Sequence, residues 1–367
     1  MKTQRLFLIV LFAVSLIAAP LASGTAQAQD ARPRIVASFS ILGDIAAQVA
    51  GDAADVESLI PLGSNPHAYE PSAQDVVTLS EADAVFVVGI NFEEGLLPVV
   101  EESASDRMVV VSECVPVHAI STGEDYEDDH EDHVHEGDEH AACEPHHEAI
   151  TAAFGIDDAA LMDGALGTLN TLACGGHDET HEGDDEHHHE AGSCDPHVWT
   201  DPVNAGLWAL VVRDTLIELD PAQADTYTAN AARYLDELAA AADEAQRLID
   251  TVPAERRYIV TNHLAFNYFA ERFGLTLVGV VIPGGSTTAE PSVQDVMALI
   301  ETVQTYNVPA IFTETTVSED LAQQIADETG ASIVRLYTGS LSEADGPAST
   351  YIDYLLFNAT QMAEGLQ

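Results

Sequence analysis

Basic side chains are scarce in this 367-residue chain: 12 Lys and Arg stand against 62 Asp and Glu, a formal net charge of −50. Such a field repels nucleic acid and anionic lipid and attracts cations, so no nucleic-acid partner is expected. Cysteine is scarce too. The four (114, 143, 174 and 194) fall within one 81-residue window, and none forms a CxxC pair, the usual mark of a structural zinc site. In an exported protein an even count favours disulfides, and four cysteines allow three pairings. One of these, Cys114–Cys143 with Cys174–Cys194, would close each of two His-rich segments.

Beyond the first 20 residues no stretch is long and apolar enough to span a membrane. The start itself reads Lys2 and Arg5, an apolar run from Leu6 to Ala19, then Ala26-Gln27-Ala28. A basic start, a short apolar core and a small-x-small exit make a secretory signal peptide, here residues 1–28. The run of about 14 residues is short for a bilayer core of about 30 Å, which argues against the alternative of an uncleaved anchor. No Cys lies near the exit, so no lipid anchor is expected there. The mature protein should begin near Gln29 and reside in the periplasm or outside the cell.

About 340 mature residues exceed one comfortable core, so two domains are expected. Residues 34–39, 84–89, 108–112, 257–262, 276–282 and 308–312 are short β-rich runs, with helical spacing between them. That alternation predicts an α/β protein with parallel sheets. Glu70-Pro-Ser-Ala-Gln-Asp-Val recurs as Glu290-Pro-Ser-Val-Gln-Asp-Val, each copy after a β-run and a Gly-containing turn. In both, Ser (72 or 292) suits a helix N-cap and Asp (75 or 295) suits the first turn. The echo points to two similar lobes, residues 29–220 and 251–367. Between them, 221–250 reads as one stiff helix opened by Asp220-Pro221. Its apolar positions recur every three or four residues, without internal Gly or Pro. Thirty residues span roughly 45 Å, enough to tie two lobes together and limit their motion. Residues 121–194 differ from both lobes. They hold 22 acids, no Lys or Arg and 11 of the 15 His, a composition that predicts a mobile acidic loop without a core of its own.

Only His67, His118, His197 and His263 lie outside that loop. His67 follows a β-run ending at Pro61, within Asn65-Pro-His-Ala-Tyr-Glu-Pro. His197 lies in Asp195-Pro-His-Val-Trp-Thr-Asp-Pro. His263 follows the strand Tyr258–Thr261. His67 and His263 would sit at the carboxyl edges of parallel sheets, where ligands of open α/β folds bind. Neighbouring prolines stiffen the backbone at His67 and His197. Three imidazoles supply most of a tetrahedral zinc shell. His118 has no such context and is expected to be an ordinary surface or capping histidine.

Taken together, Asn65-Pro-His-Ala-Tyr-Glu-Pro-Ser, Asp195-Pro-His-Val-Trp-Thr-Asp-Pro, Asn262-His-Leu-Ala-Phe-Asn-Tyr-Phe and Leu336-Tyr-Thr-Gly-Ser-Leu-Ser carry a family resemblance. Over residues 34 to 367 the chain resembles the zinc and manganese solute-binding proteins of ABC importers, which include metal-binding adhesin-like lipoproteins. The resemblance implies two α/β lobes joined by one long rigid helix, with metal in the cleft between them. It places the metal ligands on His67, His197 and His263. It also implies a membrane permease of an ABC importer as partner, and a monomer. Histidine at the third position is similar to the zinc branch, where the manganese branch has a carboxylate, and the His-rich insertion also looks like the zinc branch. This chain has Gly339 where many members place a fourth, carboxylate ligand. Water, Glu343 or Asp345 remain for that position, and Glu314 is expected to orient an imidazole. The reading is therefore a Zn²⁺-binding component of an importer, with no catalytic role. Alternatives are a Mn²⁺-binding component, an exported zinc-sequestering or adhesive surface protein, and a three-His zinc hydrolase. The last lacks any motif supplying a general base.

Overall fold

The computed structural model describes residues 32–118, 140–162, 167–168 and 194–367. The expected signal peptide, most of the His-rich clusters and Cys174 lie outside these residues.

The first lobe runs β1 (Arg34–Ala37), α1 (Ser40–Ala50), β2 (Asp55–Ser58), α2 (Ala73–Glu81), β3 (Ala84–Val87), α3 (Leu97–Ala104) and β4 (Met108–Val110). Its four strands form a parallel sheet in the order β2-β1-β3-β4. The inner strand β3 is buried at every residue, as a sheet covered on both faces requires. A two-stranded antiparallel ribbon follows, β5 (Pro116–Val117) with β6 (Gly167–Thr168). Between its strands come α4 (His140–Phe154) and α5 (Asp158–Leu161). Next are α6 (Pro202–Leu219) and α7 (Ala224–Ile249). The second lobe runs β7 (Tyr258–Thr261), α8 (Asn267–Phe273), β8 (Thr276–Val280), α9 (Val293–Thr305), β9 (Ala310–Glu314), α10 (Asp320–Thr329), β10 (Ser332–Leu336) and α11 (Tyr351–Gly365). Its parallel sheet has the order β10-β9-β7-β8. The chain is thus α/β with two parallel-sheet lobes.

The long helix begins with a single 3-10 turn, Pro221–Gln223, capped by the Asp220 carboxylate, and then runs as α7 for 26 residues, about 39 Å. Tyr227, Ala231, Tyr234, Leu235, Leu238, Ala241, Ala245 and Ile249 are its buried positions, a single stripe at spacings of mostly three and four. The stripe packs against α6 and α11, and α1 also rests on it. Full burial of Leu238 or Ile249 stabilises the fold by about 1.5–3 kcal/mol each. One continuous core runs from Ile35 and Phe86 of the first sheet, through Trp199, Trp208 and Tyr234, to Ile259, Phe312 and Tyr351 of the second lobe. The lobes are therefore not two beads on a rod. A separate small core, with Ile311, Leu299 and Ile325, lies between the second sheet and α9 and α10.

The two echo sequences open helices as expected. Ser72 accepts from the Asp75 amide and Ser292 from the Asp295 amide, and each Asp carboxylate accepts from its own Ser amide, so both are complete capping boxes.

The expectation of a coreless, mobile 121–194 fails for α4 and α5. Ile150 is fully buried, Leu161 nearly so, and Cys143 forms a disulfide with Cys114. Gly206 on α6 lets α4 approach, because a Cβ there would lie 2.7 Å from the Ile150 side chain. His146 pairs with Asp214 of α6 at 2.7 Å, and His147 with the Cys114 carbonyl at 2.8 Å. A covalent tie and a few apolar residues hold this stretch despite its acidity. Cys194 is also disulfide-bonded.

Candidate metal centre

The carboxyl edges of both sheets converge on one cluster. His67 lies in the 3-10 turn Pro66–Ala68, between β2 and α2, where the Asn65 side chain accepts from the His67 amide at 3.2 Å. His197 immediately precedes the 3-10 turn Val198–Thr200 that leads into α6. His263 stands two residues past β7, and its carbonyl accepts from the Thr261 hydroxyl at 2.7 Å. All three are buried. Their ligand atoms lie within 4.8 Å of one another, the only such grouping of His, Cys, Asp or Glu among the described residues. His197 Nε2 is 3.1 Å from His67 Nε2 and 3.0 Å from His263 Nε2.

Each imidazole is backed by a carboxylate at its other nitrogen. Glu94 Oε1 lies 3.2 Å from His67 Nδ1, Asp195 Oδ1 lies 2.8 Å from His197 Nδ1, and Glu314 Oε1 pairs closely with His263 Nδ1. A carboxylate can only accept, which places the neutral ring's proton on Nδ1 and leaves the Nε2 lone pair free. Three lone pairs then face one another at about van der Waals distance, an arrangement that a cation relieves. For a tetrahedral zinc shell with bonds of about 2.0–2.1 Å, donor separations near 3.3 Å follow. The observed 3.0 and 3.1 Å fit that shell with slight expansion.

Burial disfavours protonation of two of the rings, His197 and His67. It pushes the His197 imidazole down to about 4, against the opposing pull of Asp195, and lowers His67 despite Glu94. For Glu314, burial alone would raise the carboxyl. The facing His263 and the Thr338 hydroxyl, 2.5 Å from Oε2, outweigh it and hold the group below the usual carboxylate range. Three carboxylates behind three imidazoles make a pocket whose chemistry suits a divalent cation. Phe92 meets His67 edge-on and Trp199 lies tilted against His197, and together they wall the site. The cavity left among these side chains is about 10 Å³, space for about one water-sized sphere and none for an organic substrate.

Gly339 lines the cavity but offers no donor, and a Cβ there would lie 2.8 Å from Pro66 Cδ. The proline that precedes His67 occupies the space a fourth side-chain ligand would need. Glu343 and Asp345, the expected substitutes, are exposed and do not line the site. Glu314 takes the orienting role expected of it. His118 stays out of the cluster and pairs with Glu271 at 2.8 Å. Two partners went unread in the sequence. Asp195 had a signal, standing two residues before His197, where its carboxylate also accepts from the His197 amide at 3.0 Å. Glu94 had none, since it meets His67 across 27 residues.

The family described as "ZnuA: Zinc-uptake complex component A periplasmic" matches residues 35–365. Among curated proteins, the chain is 28% identical over 363 residues to the manganese-binding lipoprotein MntA of Halalkalibacterium halodurans, covering 98% of each. It is 27% identical over 366 residues to the iron-binding protein YfeA of Yersinia pestis, covering 100% of this chain and 96% of that one. Among solved structures, the periplasmic zinc binding protein TroA from Treponema pallidum superposes with a TM-score of 0.68 at 22% identity, covering 91% of this chain and 99% of that chain. A Mn-bound periplasmic metal binding protein from candidatus Liberibacter asiaticus gives 0.67 at 23%, covering 92% and 100%. These structures establish the fold. The family match extends over nearly the whole chain, and this protein belongs to the zinc-uptake component A family: it is an exported metal-binding component of an ABC importer, not an enzyme.

Proposed function

We propose that the cargo is Zn²⁺, held by His67, His197 and His263 and passed to the importer's membrane permease. The observation that carries this reading is the all-nitrogen donor set, with a carboxylate behind every imidazole. Imidazole suits zinc, whereas manganese prefers carboxylate, carbonyl and water oxygens. The carboxylates raise the basicity of the rings and fix their orientation. With Gly339 opposite Pro66, water is the fourth ligand, and an exchangeable position suits a carrier that must also release its ion. The chain acts as a monomer released from a cleaved signal peptide into the periplasm or extracellular space. Manganese is the second reading, favoured by the manganese-binding relative MntA and by the Mn-bound structure of similar fold.

Metal analysis and competition titration of the purified mature chain test the choice. The wild type should take one tight Zn²⁺ and prefer it over Mn²⁺ by orders of magnitude, as the Irving–Williams order and the donor set both direct. His263→Glu should move the ratio toward Mn²⁺ while zinc still binds. An unchanged Zn²⁺/Mn²⁺ ratio in that variant would remove His263 from the ligand set.

A further inference from the structure

Glu93 does not line the metal cavity, yet it is completely buried in the first lobe. Its Oε1 accepts from the Ser38 hydroxyl at 2.7 Å and from the Val88 amide at 2.7 Å, and its Oε2 accepts from the Gly89 amide at 3.2 Å. None of these donors carries a charge. Taking a carboxylate out of water with no cation beside it is costly. Burial accordingly pushes the Glu93 carboxyl up to about 7, with the Val88, Ser38 and Gly89 donors pulling the other way. The donors mark where the group acts. Ser38 follows the last residue of β1 and Val88 the last residue of β3, so the carboxylate joins the carboxyl ends of two neighbouring strands.

The turn that Glu93 closes is strained. Gly89, Ile90 and Asn91 stand in succession at φ of 79°, 55° and 58°. Glycine takes that region freely, but a β-branched residue such as Ile90 does not. Such backbone persists only where its surroundings over-determine it. Here the Phe92 amide donates to the Gly89 carbonyl at 3.0 Å and the Leu97 amide to the Glu93 carbonyl at 2.8 Å, while the Glu93 side chain holds the amides of Val88 and Gly89. The residues on either side of Glu93 both reach His67. Phe92 meets its ring edge-on, with centroids 5.1 Å apart, and Glu94 Oε1 lies 3.2 Å from its Nδ1. Gly95 completes the approach: a Cβ there would lie 2.5 Å from the carbonyl oxygen of Tyr69, two residues past His67. A shift of the turn is therefore felt by the His67 segment.

We propose that Glu93 is the positioning residue of the first lobe: its carboxylate clamps the turn between β3 and α3 to the end of β1, and so sets Phe92 and Glu94 against His67. The proposal rests on the reading of His67 as a metal-holding residue. The other two histidines need no such device. Asp195 stands two residues from His197, and Glu314 is the last residue of a strand. Glu94 lies on a connection outside any strand or helix and is 31% exposed, so its place is set by whatever holds that connection. With the clamp in place, Glu94 keeps the His67 proton on Nδ1 and leaves the Nε2 lone pair for metal. Without it, Glu94 withdraws and the ring carries its proton on either nitrogen. A proton on Nε2 blocks the metal.

Nitrogen-15 NMR of the histidine rings in the metal-free mature chain tests the clamp, at about pH 8, where Glu93 is mostly ionised, with a His67→Gln sample to assign the signal. The wild type should show His67 as a single tautomer, protonated on Nδ1. Glu93→Gln puts an amide NH2 against the Gly89 N–H, donor against donor, and Ser38→Ala removes one donor while leaving the other two. Both variants should show His67 in two tautomers, while His197 and His263 keep one. In chelator competition, zinc affinity should be about fivefold lower for Glu93→Gln and about twofold lower for Ser38→Ala, less than the loss typical of partners that touch a ligand directly. In a Glu94→Gln background the Glu93→Gln loss should shrink below about twofold, since the two act through one contact. A lowered Tm with the His67 tautomer and the affinity both unchanged overturns the proposal and leaves Glu93 as a support of the fold alone. Mixed tautomers at all three histidines overturn it too, as does an undiminished loss in the Glu94→Gln background. If Glu93→Gln does not fold, Ser38→Ala decides by the same spectrum. The spectrum is taken without metal, so a failure of the zinc assignment is seen separately, in titration of the wild type.

Discussion

His67 and His263 reach the same cluster from opposite lobes, and they are held differently. Behind His263 stands Glu314, whose side chain is 1% exposed and whose second oxygen is tied to Thr338. It is the last residue of β9, so its backbone is fixed by the sheet. Behind His67 stands Glu94, 31% exposed, on the segment between β3 and α3 and also in contact with Ser286. One histidine is set by the rigid interior of a sheet. The other depends on loops that meet at the cleft mouth. For release, this contrast predicts that the second lobe keeps its geometry and that the site opens on the His67 side.

The largest effect that tests this difference comes from the carboxylates. Glu314→Gln keeps the shape but removes the buried charge behind His263, and zinc affinity should fall toward the upper end of the 10–100-fold range typical of such partners. Glu94→Gln should cost less than tenfold, because solvent already screens that carboxylate. Competition titration against a chelator measures both. Equal losses would mean that the two lobes grip the ion alike.

Next in size is Gly339→Ala. The added methyl would meet the Pro66 ring at 2.8 Å, and the ring cannot swing aside like the end of a flexible chain. Overpacking of this kind costs about 1–3 kcal/mol. The strain falls on the residue before His67, so affinity should drop roughly tenfold, with a lowered Tm. Adding Pro66→Ala should restore both. If Gly339→Ala binds zinc normally, the His67 loop already yields, and the close packing of Pro66 does not restrain the ligand.

Much of this was legible in the sequence. Short apolar runs gave the inner strands, because parallel strands covered on both faces read as continuous Val, Ile and Phe. Capping chemistry located the starts of α2 and α9, since it is local and needs no tertiary knowledge. The three clustered histidines stood out because so few His lie elsewhere outside the acidic segment. Strand β10 escaped notice: Ser332-Ile-Val-Arg-Leu336 is an edge strand, exposed at Ser332 and Arg335, and its pattern is diluted accordingly. The helix α4 was hidden by its acidic, His-rich setting, which reads as disorder until the Cys114–Cys143 bond and Ile150 are placed against α6. The shared core was invisible for another reason. Periodicity shows which face of α7 is apolar, but not that α6 and α11 cover it jointly and join the lobes.

The smallest effect expected on the cleft comes from removing histidines that are not part of it. Segment 177–190 holds five His and seven Asp or Glu, and its deletion spares both α4 and the cysteines. Ordering a chain of that composition around an ion costs conformational entropy, so its zinc binding should be weak and reversible. Protons compete with metal for imidazole, and binding is lost as pH falls through the pKa of the free ring. For a solvated histidine that happens at about 6.5. In the cleft, burial has lowered His67 and pushed His197 down to about 4, so protons compete with metal at these two rings only at lower pH. Calorimetric titration at pH 7.5 should therefore show one tight and several weak events for the full chain, and the weak events should fade by about pH 5.5 while the tight one persists. Deleting 177–190 should remove part of the weak stoichiometry at pH 7.5 and change the tight affinity by less than about twofold. The acidic field does concentrate cations near the protein, so whatever small change appears should shrink further at high salt. Loss of the tight event on deletion would instead place a ligand in that segment and break the contrast between a buried, preorganised site and an acidic tract that only gathers ions.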